Sequence, residues 1–218
     1  MYKKTLSGLL LGLTVMASTC FAQVVDKVET YKGNELKIPQ VEGIERKAAR
    51  RINSCLDKVV AGDAKNFIDK CGKNGNTARL YTTVVRDDDR YLSLRVASVR
   101  DFKGAAHPTT YVFGLVFDKK TGRQLPLSHF VKVPAPDQLE SYVRSNVFQL
   151  CSLRNDAPVE LGDNYHITYI SKEYTLDKDD NLDLIYQHYE LACYAAGTLR
   201  LRLDKGYVDR NGSVLPKG

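Results

Sequence analysis

Tryptophan is absent from the 218 residues, methionine occurs twice, and there are only four histidines. His107, His129, His166 and His188 lie far apart, and none begins an HxxxH or HExxH pattern, so a helix-borne zinc centre has no ligand set. No CxxC pair is present, which removes a thioredoxin-like redox site and a cysteine-type zinc site. No G-x-S-x-G turn marks a serine nucleophile. Beyond the first 22 residues no apolar run is long enough to cross a bilayer as a helix. Arginine and lysine total 32 against 26 acidic residues, but the two signs are interspersed, and no nucleic-acid-binding signature appears. There is no internal repeat and no low-complexity linker. The pattern therefore points to no cofactor, no metal and no nucleic acid.

The N-terminus carries the clearest signal that is present. Lys3 and Lys4 precede a short apolar core from Leu6 to Met16, and Cys20-Phe21-Ala22 places small residues at the −3 and −1 positions before Gln23. This reads as a secretory leader spanning residues 1–22, with the mature chain beginning at Gln23 in the periplasm or outside the cell. A lipid-modified Cys20 is the alternative, against which Thr19 is bulkier than the residue usual at that place. Without Lys3 and Lys4 the formal charge of +6 falls to +4. Four cysteines remain, Cys55, Cys71, Cys151 and Cys193, an even count that in an exported chain reads as two disulfides. Cys55–Cys71 and Cys151–Cys193 are the preferred pairs of the three connectivities.

Residues 23–218 read as a single α+β domain. Val24 to Tyr31 is an opening strand. Ile44, Ala48, Ile52, Leu56 and Val59 recur at helical spacing, which predicts an amphipathic helix from Ile44 to about Val60 and a second short helix around Ala64 to Lys70. From Thr77 the period changes from helical to alternating, so residues 23–76 form a strand-and-helix part and 77–218 a sheet region. Strands are expected around Leu80–Val84, Leu92–Val96 and Tyr111–Phe117, the last ending at the Asp118–Gly122 turn. Pro136 opens another helix, with Leu139, Val143, Val147 and Leu150 as its buried stripe and Cys151 at its close. Further strands are expected at Tyr165–Tyr169, Leu184–Leu191 and Leu199–Leu203. The expected architecture is an antiparallel sheet with two principal helices packed on one face, stabilised by disulfides.

Asp177 to Asp183 superficially matches a calcium loop. Leu182 and His188 occupy the positions that need glycine and glutamate, so a polar hairpin turn is the better reading. Two connections of small residues stand out: Gly104-Ala105-Ala106-His107-Pro108, and Tyr189-Glu190-Leu191-Ala192-Cys193-Tyr194-Ala195-Ala196-Gly197. Small residues let backbones approach closely, and His107, Tyr189, Glu190 and Tyr194 are the candidate ligand-binding residues.

These two connections, with Phe117-Asp118-Lys119-Lys120-Thr121-Gly122, Leu125 and Leu127 between them, come in the order and rough spacing of one family. Over Leu92 to Leu203 the chain resembles the extracytoplasmic domain of RsiV-type anti-sigma factors, a module also found beside peptidoglycan deacetylases and in stand-alone exported proteins. In the anti-sigma factors this domain binds lysozyme. The resemblance implies an exported, non-enzymatic binding protein of the cell envelope whose partner is a lysozyme-like muralytic enzyme, another envelope protein or cell-wall glycan. The rival expectation is a hydrolase or accessory enzyme acting on envelope glycans, with carboxylates brought together by folding.

Overall fold

The computed structural model describes residues 21–72 and 75–212. The leader residues up to Cys20 lie outside them. The described chain opens on an antiparallel hairpin of β1 (Gln23–Tyr31) and β2 (Asn34–Glu42), registered from Gln23 opposite Glu42 to Tyr31 opposite Asn34. The second strand escapes the sequence pattern because Pro39 interrupts its alternation. Leu36, Ile38 and Val41 are nonetheless fully buried.

Next come α1 (Arg46–Leu56), a π-helical segment (Asp57–Ala61) and α2 (Gly62–Cys71), which run on as one helix of 26 residues. Glu45 starts it, its carboxylate accepting from the Lys47 and Ala48 amides, both at 2.9 Å. Ala48, Ile52, Leu56, Val60, Ala64 and Ile68 are all buried. That is a strict repeat of four, and each step overshoots a full helical turn by about 40°. The π segment, with more residues per turn, takes back part of the drift and keeps the stripe on the sheet. Gly62, which falls between the two expected helices, is an ordinary helical residue here.

This continuity excludes the Cys55–Cys71 disulfide. Sixteen positions along one helix separate the two α-carbons by about 24 Å, whereas a disulfide tolerates roughly 7 Å. The Cys55 thiol instead donates to Gln124 Oε1 at 3.4 Å. Cys151 and Cys193 are also free thiols, the first buried and the second exposed.

The central layer is an antiparallel sheet in the order β3 (Thr77–Asp87), β4 (Tyr91–Asp101), β5 (Thr109–Asp118). One face, with Leu80, Leu92, Leu94, Val96, Phe113, Leu115 and Phe117, packs on the long helix and β2. The opposite face contributes Tyr91 and Val116 to a second core. That core belongs to a four-stranded sheet in the order β6 (Gln149–Ser152), β9 (Leu199–Leu203), β8 (Leu182–Tyr186), β7 (Tyr174–Leu176), with α3 (Pro136–Arg144) and α4 (Lys205–Asn211) beside it.

The α+β class and the antiparallel pairing are as expected, but the helices are not two equals on one face. One long helix covers the inner face of the central sheet, and the nine-residue α3 serves the other core. The reason is that β4 over Tyr91–Leu94 and β5 over Val112–Phe117 bury both of their faces, so covering elements divide between two layers. Helix α3 is also shorter than its apolar spacing predicts. Asn146 takes a left-handed conformation (φ 57°) that ends it, Val147 is left exposed, and Cys151 lies on β6 rather than at a helix end. The stretch Tyr165–Tyr169 is irregular rather than a strand.

The two sheets meet most closely at Gly114. A Cβ built there would fall within 2.6 Å of the Tyr174 carbonyl carbon and closer still to that residue's nitrogen and oxygen. Only glycine lets β7 cross β5 at this distance. Beside it, Ser93 Oγ accepts from the Leu176 amide at 3.1 Å, tying β4 to β7.

Candidate functional site

The second sheet covers only part of the outer face of the central one. Tyr81 and Thr83 of β3, Arg95 and Ala97 of β4, and Thr110 and Val112 of β5 alternate with core-facing neighbours and form the uncovered part. The register places Tyr81 opposite Ala97, Thr83 opposite Arg95, and Ala97 opposite Val112, so these side chains make one continuous floor. Over it lies a cleft of about 370 Å³, walled by Leu153 and Arg154 after β6 and by His188, Tyr194, Gly197 and Thr198.

The wall is built by aromatic stacking between distant segments. The Tyr194 ring lies between two imidazoles: His107 at 3.6 Å between centroids with planes 19° apart, and His188 at 4.8 Å and 23°. Tyr189 adds a tilted contact to Tyr194 at 5.7 Å. The Tyr194 hydroxyl donates to the Pro108 carbonyl at 2.8 Å. His188 Nδ1 lies 3.3 Å from the Thr110 carbonyl, an acceptor that calls for a proton on that nitrogen. Gly197, at φ 78°, then turns the chain into β9.

Edge strand β5 is closed by side chains. Gln187 pairs with Val112 as a neighbouring strand would, accepting from its amide at 2.8 Å and donating to its carbonyl at 2.9 Å. Glu173 accepts from the Gly114 amide at 2.8 Å and from the Tyr111 hydroxyl at 3.3 Å. Burial pushes the Glu173 carboxyl above the usual range against these two bonds, and burial together with Glu173 pushes the Tyr111 phenol up to about 12.

The arginines of the cleft differ from those around it. Arg200 is paired with Asp183 (3.1 Å) and Asp156 (3.2 Å), and Arg202 with Asp183 (2.9 Å) and Asp177 (3.0 Å). Arg95, at the floor, ion-pairs and hydrogen-bonds with none of the described residues. Burial pushes its pKa down while the field of Asp183 and Asp156 acts the other way. The exposed Arg154 guanidinium at the mouth has no ion-pair partner among the described residues either.

Of the four residues singled out in the sequence, His107, Tyr189 and Tyr194 come together in the stack. Glu190 does not join them: its carboxylate accepts from the Gln187 amide at 2.6 Å within the turn that follows β8, and it lies beside the Tyr169 hydroxyl. Arg95, His188, Gln187 and Glu173 are missed by sequence reasoning. Arg95 offered one usable signal, a long cation between the small residues Ser93 and Ala97 on the polar phase of an otherwise apolar strand.

No family model matches the chain, and no curated protein does. Solved structures do share its fold. A member of the DUF3298 family from Bacteroides fragilis superposes with a TM-score of 0.61 at 14% identity, over 91% of this chain and 95% of that one. A DUF3298 family protein from Pseudomonas aeruginosa gives a TM-score of 0.59 at 14% identity, over 88% of this chain and 94% of its own. The chain has the fold of these proteins.

Proposed function

We propose that the chain is an exported, non-enzymatic binding domain of the cell envelope that holds its ligand in the cleft over β3–β5. The observation that carries this reading is the meeting of distant segments at that cleft. Residues 104–108 and 194–197, which carry the resemblance to RsiV-type domains, are joined there by the His107–Tyr194 stack and the Tyr194–Pro108 hydrogen bond. They rigidify one wall of a cavity within the ordinary size range for small-ligand sites.

Binding is favoured over hydrolysis by the chemistry of the lining. The cleft presents cations, hydroxyls and aromatic rings and no carboxylate, and the buried Asp183 is held by two arginines rather than poised to move a proton. The leader supplies the compartment, and the envelope supplies the partner: a lysozyme-like muralytic enzyme, another envelope protein or wall glycan.

The test is co-sedimentation of purified residues 23–218 with isolated sacculi, alongside surface plasmon resonance against lysozymes and solubilised envelope proteins. Ala97→Trp, which fills the cleft floor, is expected to abolish the binding while leaving the far-UV spectrum intact. Binding undiminished by the tryptophan, or release of soluble fragments from sacculi by the purified protein, would overturn this reading.

A further inference from the structure

Resting on the binding-domain reading, we infer that the cleft recognises a sugar acid, a pyranose ring bearing a carboxylate, with Arg95 and Arg154 taking the carboxylate and the exposed Tyr81 of the floor taking the ring. Around the cleft stand Arg95, Arg154, Arg200 and Arg202 against Asp156, Asp177 and Asp183. Arg200 and Arg202 engage all three carboxylates. Two guanidiniums therefore face the same cavity with no anion of the described chain to meet them. A half-buried, unpaired guanidinium is costly to keep, and a planar carboxylate supplies the bidentate partner that its geometry favours.

The remaining lining selects the body of the ligand. Tyr81, more than half exposed on the floor, offers a flat apolar face, while Tyr194, its faces covered by His107 and His188, stiffens the wall beside it. Thr83 and Thr110 place hydroxyls between them, each able to donate and accept. Rings of alternating C–H faces and equatorial hydroxyls suit that combination, whereas a purely apolar ligand would leave the threonines and arginines unsatisfied. About 370 Å³ accommodates one or two sugar units.

Isothermal titration of residues 23–218 tests this with N-acetylmuramic acid, glucuronic acid, neutral N-acetylglucosamine and inorganic phosphate as probes. The expected result is about millimolar affinity for at least one acid, with the neutral sugar and phosphate each about tenfold weaker or more. A preference for N-acetylmuramic acid identifies the carboxylate as the ether-linked acid of wall glycan, and a preference for glucuronic acid identifies a uronic-acid polymer. Arg154→Gln and Arg95→Gln are expected to remove the preference for acid over neutral sugar. If Arg95→Gln fails to fold by tyrosine near-UV circular dichroism, Arg95→Lys replaces it, keeping the charge and losing the fork.

Equal binding of the neutral sugar, phosphate as strong as the acids, or acid selectivity surviving both arginine variants would overturn the inference. So would silence from every sugar, and if Ala97→Trp still abolished binding to sacculi or to an envelope protein, the binding-domain reading would stand without it.

Discussion

Replacing Gly114 by alanine is the sharpest test of the layered architecture. The added methyl would sit within 2.6 Å of backbone atoms of Tyr174, and the obstruction is main chain, which no rotamer change relieves. Reaching ordinary van der Waals contact requires β7 to retreat from β5 by about 1 Å. Overpacking of this kind typically costs about 1–3 kcal/mol. The retreat also stretches the bonds from the Gly114 amide to Glu173 and from the Leu176 amide to Ser93, a further loss of about 1 kcal/mol. The sum, about 2–4 kcal/mol, is a large share of the stability of an ordinary domain. Urea denaturation followed by far-UV circular dichroism gives the midpoint, and the tyrosine near-UV signal, undisturbed by tryptophan in this chain, reports whether the layers still pack. A fall in midpoint with an unchanged slope is expected. A loss below about 1 kcal/mol would show that β5 and β7 do not cross this closely.

Four other outcomes follow from the same contacts. Because burial raises the Glu173 carboxyl, the folded state binds more protons than the unfolded one between the usual value of 4.5 and the raised one, so this group makes stability fall as pH rises through that window. Glu173→Gln keeps an acceptor for the Gly114 amide and should flatten that slope in urea midpoints measured across it; an unchanged slope would refute the assignment. Glu140 behaves in the opposite sense: burial raises its pKa, but bonds from His166, the Ile167 amide and Arg144 outweigh it and hold the carboxyl at about 2, so its contribution is present above pH 4.5 and disappears as pH falls toward 2. Glu140→Ala should cost about 2 kcal/mol and speed hydrogen exchange at Ile167, the amide it binds at 2.9 Å. Tyr194→Phe should cost about 1 kcal/mol through the Pro108 bond while Tyr194→Ala costs more by dismantling the stack; equal losses in chemical denaturation would mean that the rings contribute nothing. Peptide mapping without reductant should find no Cys55–Cys71 bridge and rapid labelling of the exposed Cys193 before the buried Cys151, and a bridged 55–71 peptide would contradict the continuous helix.

Much of the scaffold is legible residue by residue. The alternation of Leu92, Leu94 and Val96, of Tyr111, Phe113, Leu115 and Phe117, and of Leu199, Leu201 and Leu203 names strands, because a period of two has few other physical causes. The hairpin reading of Asp177–Asp183 agrees with a turn in which the Asp177 carboxylate accepts from the Asp179 and Asn181 amides. Where the reading fails, a local cue was outweighed by packing. Two helices were expected on either side of Gly62, yet the four-residue apolar repeat holds a single helix against the sheet. Val147 and Leu150 continued a helical stripe on paper, but the left-handed Asn146 ends α3 and sends Leu150 into β6. An even cysteine count suggested bridges, but a count carries no distance.

The cleft divides in the same way. His107 and Tyr194 were marked by the small residues around them, and local composition is a property of sequence. Gln187 and Glu173 act through partners 59 to 75 positions away and Arg95 through having none, and no window of sequence contains such a relation. What the chain alone determined was the α+β class, most strand positions and the two connections to watch, since periodicity and backbone permissiveness are local. Which face of β4 meets water, which arginines find carboxylates and which cysteines lie apart were decided by tertiary packing, because burial and ion pairing depend on where separate segments meet.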